Sequence, residues 1–364
     1  MVSTPGKNDA VSRPLLEQVK RLGRRLAEER GRKLKIMEVC GTHTVAYARS
    51  GISDLVSPYI DLQSGPGCPI CVTHQDDLDR VFSLARQQNP LIVTFGDLLR
   101  VPGSHTTLER EMARGGRVQI CYSPLEAVER AAGNPGDRVV LIAIGFETTT
   151  PAMAAALKLA AGYGLDNFWL YPLLKRVPPA LKALLGSPLD LDGFLLPGHV
   201  STVLGREAFS FMGDLGYPSV VTGFKSLDLL LGLYTLLKMV EEGKSEVGNA
   251  YSHVVREEGN GTARRLIDEC FVPEPLTAWR GLGAIPESGY TLREPFARYN
   301  ARLQFDMEMA PAGENPHCAC GQVITGRFKP HQCPLFGKDC TPSTPVGPCM
   351  VSPEGACGAY YHYR

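Results

Sequence analysis

The sequence predicts an α/β fold with two parallel-sheet domains facing a cleft and a loop-rich C-terminal domain. Short apolar strands alternate with helices between about residues 30 and 240. These strands are apolar on both faces, as is typical of parallel sheets covered on both sides by helices. After about residue 241 the sequence becomes richer in turns, and six of its eleven cysteines follow Pro311. The last region is therefore expected to depend on something other than a large apolar core.

The individual elements follow from local patterns. Apolar spacing predicts an amphipathic helix over residues 14–30. Further along the chain, apolar runs predict strands, and the segments after them predict helices. In order, the strand segments are KLKIMEV, PLIVTFGD, RVQICY, RVVLIAIG, FWLYPLL and GFLLP, and the helical segments are GTHTVAYARSG, QDDLDRVFSLARQ, SPLEAVERAA, PAMAAALKLAA, PPALKALL and HVSTVLG.

Three domains are expected from these patterns and from the chain length. The first covers residues 14–120 and contains the CGTHT and GPGCPIC segments. The second covers 121–240 and contains GFETTTP and PGHVS, and the third covers 241–364. The segment LTAWRGLGAIPESGYTLREPFARYN in the third domain is expected to be mainly loop.

Composition excludes several classes of function. Lys plus Arg equal Asp plus Glu at 38 each, so the formal net charge is zero. A neutral chain is not expected to bind nucleic acid or anionic membranes by general electrostatics. The first ten residues are polar and no apolar run is long enough to cross a bilayer, which predicts a cytoplasmic protein. Because disulfides rarely persist there, eleven cysteines indicate metal ligands or redox thiols.

The segment EVCGTHT places Cys40 between a strand and a helix. Backbone N–H groups at a helix start favour negative charge, so this thiol is expected to tend towards the thiolate. His43, about one turn later, could ligate a metal, transfer a proton or cap the turn. The alternative is a buried, inert cysteine beside a satisfied histidine.

The segment SGPGCPICVTH places Cys68 and Cys71 three positions apart. This spacing serves dithiol–disulfide chemistry and also supplies two ligands of a tetrahedral metal. Gly65 and Gly67 allow close backbone approach, while the flanking prolines limit movement of the loop. A tight turn with two buried thiols is the alternative.

Two further segments, GFETTTP and PGHVSTVLG, each follow a strand and open a helix. Ligands of open α/β sheets lie at the carboxyl ends of strands, so Glu147, the threonine hydroxyls, His199 and Ser201 would project into a common cleft. Threonine and serine at helix starts are often only caps, which is the alternative for Thr149 and Thr150. Neither segment matches a phosphate-binding or dinucleotide-binding loop.

The C-terminal cysteines have no paired zinc knuckles. Four thiolates from spaced loops suit a [4Fe-4S] cluster, although spacing alone does not exclude zinc. The set that lies closest together in the sequence is Cys333, Cys340, Cys349 and Cys357. Cys318 and Cys320 could replace one member of the set or serve as redox thiols. Cys121 and Cys270 occupy apolar contexts and are expected in the core.

Together, CGTHT, GPGCPIC, GFETTTP, PGHVSTVLG and CTPSTPVGPCMVSPEGACGAYY resemble the HypD family of [NiFe]-hydrogenase maturation proteins, over essentially the whole chain. The resemblance implies a scaffold for assembly of the Fe(CN)₂CO group, with a resident [4Fe-4S] cluster. It also implies that a HypC-type chaperone shares the iron, that a HypE-type protein delivers cyanide as a thiocyanate, and that the hydrogenase large subunit is the indirect client. By motif, Cys40, Cys68 and Cys71 would be iron-site and redox thiols with His43 alongside, and Glu147, Thr148, Thr149, His199 and Ser201 would line the cleft.

Two other functions remain possible from the residues alone. One is a general thiol–disulfide oxidoreductase supplied with electrons by an iron–sulfur cluster, which leaves GFETTTP and PGHVS without a role. The other is a zinc-stabilised adaptor in which every cysteine is structural. Delivery of cyanide from a thiocyanate needs two electrons, which a dithiol near the iron could supply, and this favours the assembly scaffold.

Overall fold

The computed structural model describes residues 7–186, 189–306 and 313–363. Within these residues, eleven strands form two parallel sheets and one antiparallel hairpin. The strands are β1 Leu34–Glu38, β2 Ile60–Ser64, β3 Leu91–Thr94, β4 Val118–Ile120, β5 Val139–Gly145, β6 Phe168–Leu174, β7 Gly193–Pro197, β8 Ser219–Thr222, β9 Val247–Asn249, β10 Phe271–Trp279 and β11 Gly283–Leu292. The α/β class with parallel sheets is confirmed.

Seventeen α-helices accompany the strands in the described residues. They are α1 Lys7–Arg30, α2 Gly41–Arg49, α3 Ile52–Val56, α4 Pro69–Val72, α5 Gln75–Gln87, α6 Leu108–Ala113, α7 Leu125–Gly133, α8 Thr150–Gly162, α9 Val177–Leu185, α10 Gly198–Leu204, α11 Phe211–Asp214, α12 Ser226–Glu242, α13 Gly261–Cys270, α14 Ala301–Gln304, α15 Cys320–Ile324, α16 Pro348–Val351 and α17 Ala356–Tyr363. Short 3₁₀ helices span Gly96–Arg100, Glu207–Phe209, Glu294–Tyr299 and Pro330–Gln332.

The order of the strands differs from the two consecutive units expected from the sequence. The first sheet has the order β2-β1-β7-β8-β9, and the second has β4-β3-β5-β6. The first sheet therefore takes strands from both sides of the segment that forms the second. The boundary expected near residue 120 falls between β4 and β5 of one sheet, because the sequence pattern identifies strands but not their pairing partners.

Each sheet has its own apolar layer. In the first, Leu22 of α1 and Leu233 of α12 pack with Ile36 of β1. In the second, Leu157 of α8 packs with Leu141 of β5, whose seven residues are all buried. The first sheet with its helices is the first lobe, and the second sheet with its helices is the second lobe. A third core cluster contains residues of both lobes and of the cysteine-rich segment, residues 313–363, so these three parts of the chain share one interior.

The segment expected to be mainly loop, residues 276–300, contains strand β11 and the end of strand β10, which pair as a long antiparallel hairpin. Its register shifts between Glu274 and Leu276, which marks an irregularity next to Pro275. Proline is tolerated in a two-stranded ribbon because half of the backbone N–H groups face away from the partner strand. The loop prediction was therefore wrong for β11 and for the end of β10. Among the described residues, no helix is long and apolar enough to cross a membrane.

Candidate functional site

The Cys68–Cys71 turn is held tightly against the first sheet. The two cysteines form a disulfide, with Cα atoms 5.2 Å apart. Pro69 is the first residue of α4, and the Cys71 N–H donates to Cys68 Sγ at 3.3 Å. A Cβ on Gly67 would lie 2.5 Å from both the nitrogen and the Cα of Cys40. Glycine is therefore required at position 67, because it lets this turn reach the backbone of Cys40.

Cys40 occupies the N-cap position of α2 and is buried. Burial raises the pKa of its thiol to about 11, an effect that the nearby Glu354 carboxylate increases and the His43 N–H opposes. The sequence-based expectation that Cys40 tends towards the thiolate was therefore wrong for the protein without a bound metal ion. Desolvation outweighs the three or four N–H groups of the helix start.

A cavity of about 200 Å³ opens beside Cys40. The first lobe contributes Cys40, Pro197 and His199 to its walls, and the second lobe contributes Phe146, Thr148 and Thr149. Gly67 and Pro69 of the disulfide turn and Glu354 of the C-terminal segment complete its rim, with Val39, Thr42 and Val200. The two lobes and the cysteine-rich segment therefore meet at one cleft.

His43 and His199 are joined through an aromatic ring that the sequence did not indicate. The Phe224 ring stacks on His199 with centroids 3.9 Å apart, and on His43 at 4.7 Å. His43 Nε2 lies 3.1 Å from the Gly223 carbonyl, and burial lowers its pKa to about 4. His43 is thus a neutral histidine behind the cleft, whereas His199 lies on the cleft wall.

Glu147 and Ser201 are not among the residues that line this cavity. Both are fully buried, at 1% and 0% exposure, and the Glu147 carboxylate accepts a hydrogen bond from Val177 N at 2.9 Å. Glu147 therefore caps the start of α9, whereas the adjacent Thr148 lines the cleft. Burial raises the pKa of Glu147 to about 7.

Glu354 is a cleft residue that sequence reasoning missed. Its Oε1 accepts a hydrogen bond from the Thr42 hydroxyl at 2.7 Å, which ties the C-terminal segment to α2. In the sequence, Glu354 is marked only by its position three residues before Cys357. That position does not show which element the Glu354 side chain contacts.

The six C-terminal cysteines form a connected group. Cys320 Sγ lies 2.6 Å from Cys349 Sγ, Cys318 contacts Cys320, and Cys349 contacts Cys357. Cys333 and Cys340 close a tight loop in which the Phe336 N–H donates to Cys333 O, and both interact electrostatically with the others. Cys318 alone is half-buried, and the other five are buried.

Within residues 7–186, 189–306 and 313–363, no group of three or more His, Cys, Asp or Glu side chains is arranged to hold a metal ion. The donor chemistry of the C-terminal group nevertheless fits an iron–sulfur cluster, which requires thiolates. The ligand roles of Cys333, Cys340, Cys349 and Cys357 stay predictions. Cys121 and Cys270 belong to the apolar core of the second lobe, and burial raises the pKa of each thiol to about 11.

Fold and site define a thiol-rich α/β protein in which one cysteine and the turn of one disulfide line an interlobe cleft, while a cysteine cluster lies in the C-terminal segment that completes the rim of the cleft. A family model described as "HypD: Hydrogenase formation hypA family" matches residues 14–364. The chain belongs to this HypD family.

Curated relatives agree with the family assignment. The chain is similar to "Hydrogenase maturation factor HypD" of Rhodobacter capsulatus, with 40% identity over 98% of this chain and 96% of that protein. The protein of the same name from Escherichia coli (strain K12) is 40% identical, covering 96% and 94%. "Hydrogenase expression/formation protein HupD" of Azotobacter chroococcum mcd 1 is 42% identical, covering 94% and 93%.

Proposed function

We propose that this protein is the scaffold and redox protein on which the Fe(CN)₂CO group of [NiFe]-hydrogenase is assembled in the cytoplasm. The observation that carries the proposal is the cleft where Cys40 meets the Cys68–Cys71 turn. Iron carrying cyanide and carbonyl needs soft thiolate ligands and shelter from water. Cys40 and one thiol of the reduced pair would hold this cargo iron, together with a cysteine from a HypC-type chaperone.

Cyanide delivery assigns a redox role to the same turn. A HypE-type donor would present a thiocyanate, R–S–CN. Its S–C bond breaks when two electrons and one proton give R–SH and cyanide. The Cys68–Cys71 dithiol supplies both electrons and becomes the disulfide, and the Gly/Pro frame keeps the sulfurs close in both states.

The C-terminal thiols would restore the dithiol. Cys333, Cys340, Cys349 and Cys357 would hold a [4Fe-4S] cluster, in which Cys318 or Cys320 could replace one member of the set. When bound, the cluster supplies electrons one at a time. Cys349 lines the same small void, about 10 Å³, as Cys68 and Cys71, which supports a short path between the two groups of sulfurs.

Infrared spectroscopy on the protein purified anaerobically with its HypC-type chaperone tests the proposal. Wild type should show CN and CO bands. Cys40→Ala should lose these bands while the visible absorbance of the C-terminal cluster stays unchanged, and Cys121→Ala is the matched control away from the cleft. Bands that persist in Cys40→Ala would falsify the iron-site assignment.

The disulfide also favours a second candidate function, a general thiol–disulfide oxidoreductase. Rapid reduction of unrelated disulfide substrates by the anaerobically reduced protein would support this alternative. Inertness towards them would support the scaffold, because Cys68 and Cys71 are buried, at 5% and 2% exposure, and are poorly accessible to unrelated substrates.

A further inference from the structure

The end of strand β10 lies directly against the chain that follows the disulfide turn. The Arg280 N–H donates to the Val72 carbonyl at 2.9 Å, and Trp279 pairs with Thr73 in an antiparallel bridge. Val72 and Thr73 are the two residues after Cys71, and both are fully buried. The hairpin therefore pairs through its backbone with the residues that follow the disulfide turn, and this pairing fixes the position of the turn.

The next residue of the hairpin reaches the cysteine-rich segment. Gly281 has a φ of 77°, and a Cβ at this position would lie 2.6 Å from the Gly321 carbonyl oxygen. Gly321 follows Cys320, the cysteine whose sulfur contacts Cys349. One short segment, 279–281, thus contacts residues next to both groups of cysteines in the chain.

The Arg280 side chain joins the same two parts of the chain. Only 3% of it is exposed. Nη2 donates to Gln75 Oε1 at 3.0 Å at the start of α5, and Nη1 lies 2.8 Å from Glu314 Oε1, four residues before Cys318. A buried guanidinium is costly unless its partners compensate, so a purely apolar residue would stabilise this position at lower cost. The positive charge and the planar guanidinium group of Arg280, which donates to two partners at once, therefore indicate a role beyond packing.

We propose that Arg280 is a positioning residue for electron transfer from the C-terminal cysteine cluster to the Cys68–Cys71 disulfide. The inference rests on the redox role proposed above. The reaction is disulfide plus two electrons and two protons to two thiols. The electrons would come singly from a low-potential one-electron donor by way of the iron–sulfur group that the C-terminal cysteines would hold, and the protons would come from solvent. Arg280 takes no part in the bond changes but fixes the distance between donor and acceptor.

The test compares two ways of reducing the disulfide in the full-length, anaerobically purified protein. Photoreduced deazaflavin supplies single electrons, whereas dithiothreitol attacks the disulfide directly. Alkylation followed by mass spectrometry measures the fraction of free Cys68 and Cys71 with time. In Arg280→Met, reduction by deazaflavin should be about tenfold slower or more, since small misplacements carry large rate costs. Reduction by dithiothreitol should stay within about twofold of wild type, because it does not use the path.

Two further variants complete the design. Arg280→Lys keeps the positive charge but lacks the planar guanidinium group that donates to both partners. Its rate of disulfide reduction by deazaflavin should therefore lie between those of wild type and Arg280→Met. Arg265→Met, on the exposed face of α13, is the matched control and should behave as wild type. If Arg280→Met does not fold, Arg280→Lys decides alone, and slowing by about threefold supports the proposal.

Equal deazaflavin rates in wild type and the Arg280 variants would overturn the proposal while leaving the redox role intact. Failure of deazaflavin to reduce the disulfide in wild type would overturn both, because no transfer would exist for Arg280 to position. Equal slowing with both reductants would identify Arg280 as a structural residue of the turn and would also overturn the proposal.

Discussion

The Thr42 hydroxyl donates a hydrogen bond to Glu354 Oε1 at 2.7 Å, joining residues 312 positions apart at the edge of the cleft. Thr42 lies two residues after Cys40, and Glu354 lies three before Cys357. Helix α17, which follows Glu354, packs against α2, which contains Thr42. The wall of the cleft thus depends on a contact between the first and last parts of the chain.

The first prediction concerns this contact. Glu354→Ala should increase amide exchange in α2 and α17 by roughly tenfold to thirtyfold, because a hydrogen bond to a charged acceptor contributes about 1.5–2 kcal/mol at such a part-buried position. Thr42→Val should have a similar effect, and the double variant should add little. Hydrogen exchange with mass spectrometry measures it, with α7 as the internal reference. Strictly additive effects would show that the two side chains act independently.

The second prediction concerns Gly67. A methyl group at this position would overlap the Cys40 backbone, so Gly67→Ala should lower the free energy of unfolding by about 2–4 kcal/mol. Gly133→Ala is the matched control, because a Cβ there has no neighbour within 4 Å. Urea unfolding compares the two variants. An unchanged midpoint for Gly67→Ala would mean that the disulfide turn can move away from Cys40.

The sequence predicted six of the eleven strands in the described residues, β1 and β3–β7, but neither the other five nor the arrangement of the sheets. Runs such as VVLIAIG predict a buried strand because every residue in them is apolar, and β5 is buried throughout. Pairing of β1 with β7 depends on contacts between residues 157 positions apart, such as Ile36 and Gly193, which periodicity cannot show. The nested order of the two sheets follows from that pairing.

The candidate site was predictable where chemistry resides in a local motif. The spacing of Cys68 and Cys71 predicted a thiol pair, and the structure joins them. The GFETTTP motif did not show which way each of its side chains points. Thr148 lines the cleft, while the adjacent Glu147 caps a helix. Glu354, Phe224 and Arg280 act through contacts distant in sequence, so no local pattern identified them.

The third prediction concerns the pH dependence of stability through Glu147. Its pKa is raised from 4.5 to about 7 in the folded protein, so the folded state binds the proton more tightly. Its contribution to stability is therefore present below about pH 4.5 and is lost as the pH rises towards 7. Glu147→Gln, which keeps the acceptor for Val177 N, should gain about 1–2 kcal/mol relative to wild type between pH 5 and 7.5. Urea unfolding at the two pH values measures this gain. A pH-independent difference would place the Glu147 pKa near its usual value in the fold.

The fourth prediction concerns Lys175, whose buried ammonium donates to the Ala278 carbonyl at 2.9 Å and lies 4.0 Å from Asp77. Burial lowers the pKa of Lys175 from 10.5 to about 8, an effect only partly offset by Asp77. The unfolded chain binds the proton more tightly, so this lysine makes stability rise with pH between about 8 and 10.5.

The variant Lys175→Met has no ammonium group, so its free energy of unfolding should not rise with pH for this reason. Relative to wild type, the variant should lose about 1–2 kcal/mol between pH 7.5 and 9.5, opposite in sign to the effect of Glu147→Gln. Urea unfolding at both pH values gives the change, with Lys182→Met on α9 as the control. Parallel pH profiles for wild type and Lys175→Met would contradict the lowered pKa and would mean that Asp77 and the Ala278 carbonyl compensate the buried charge in full.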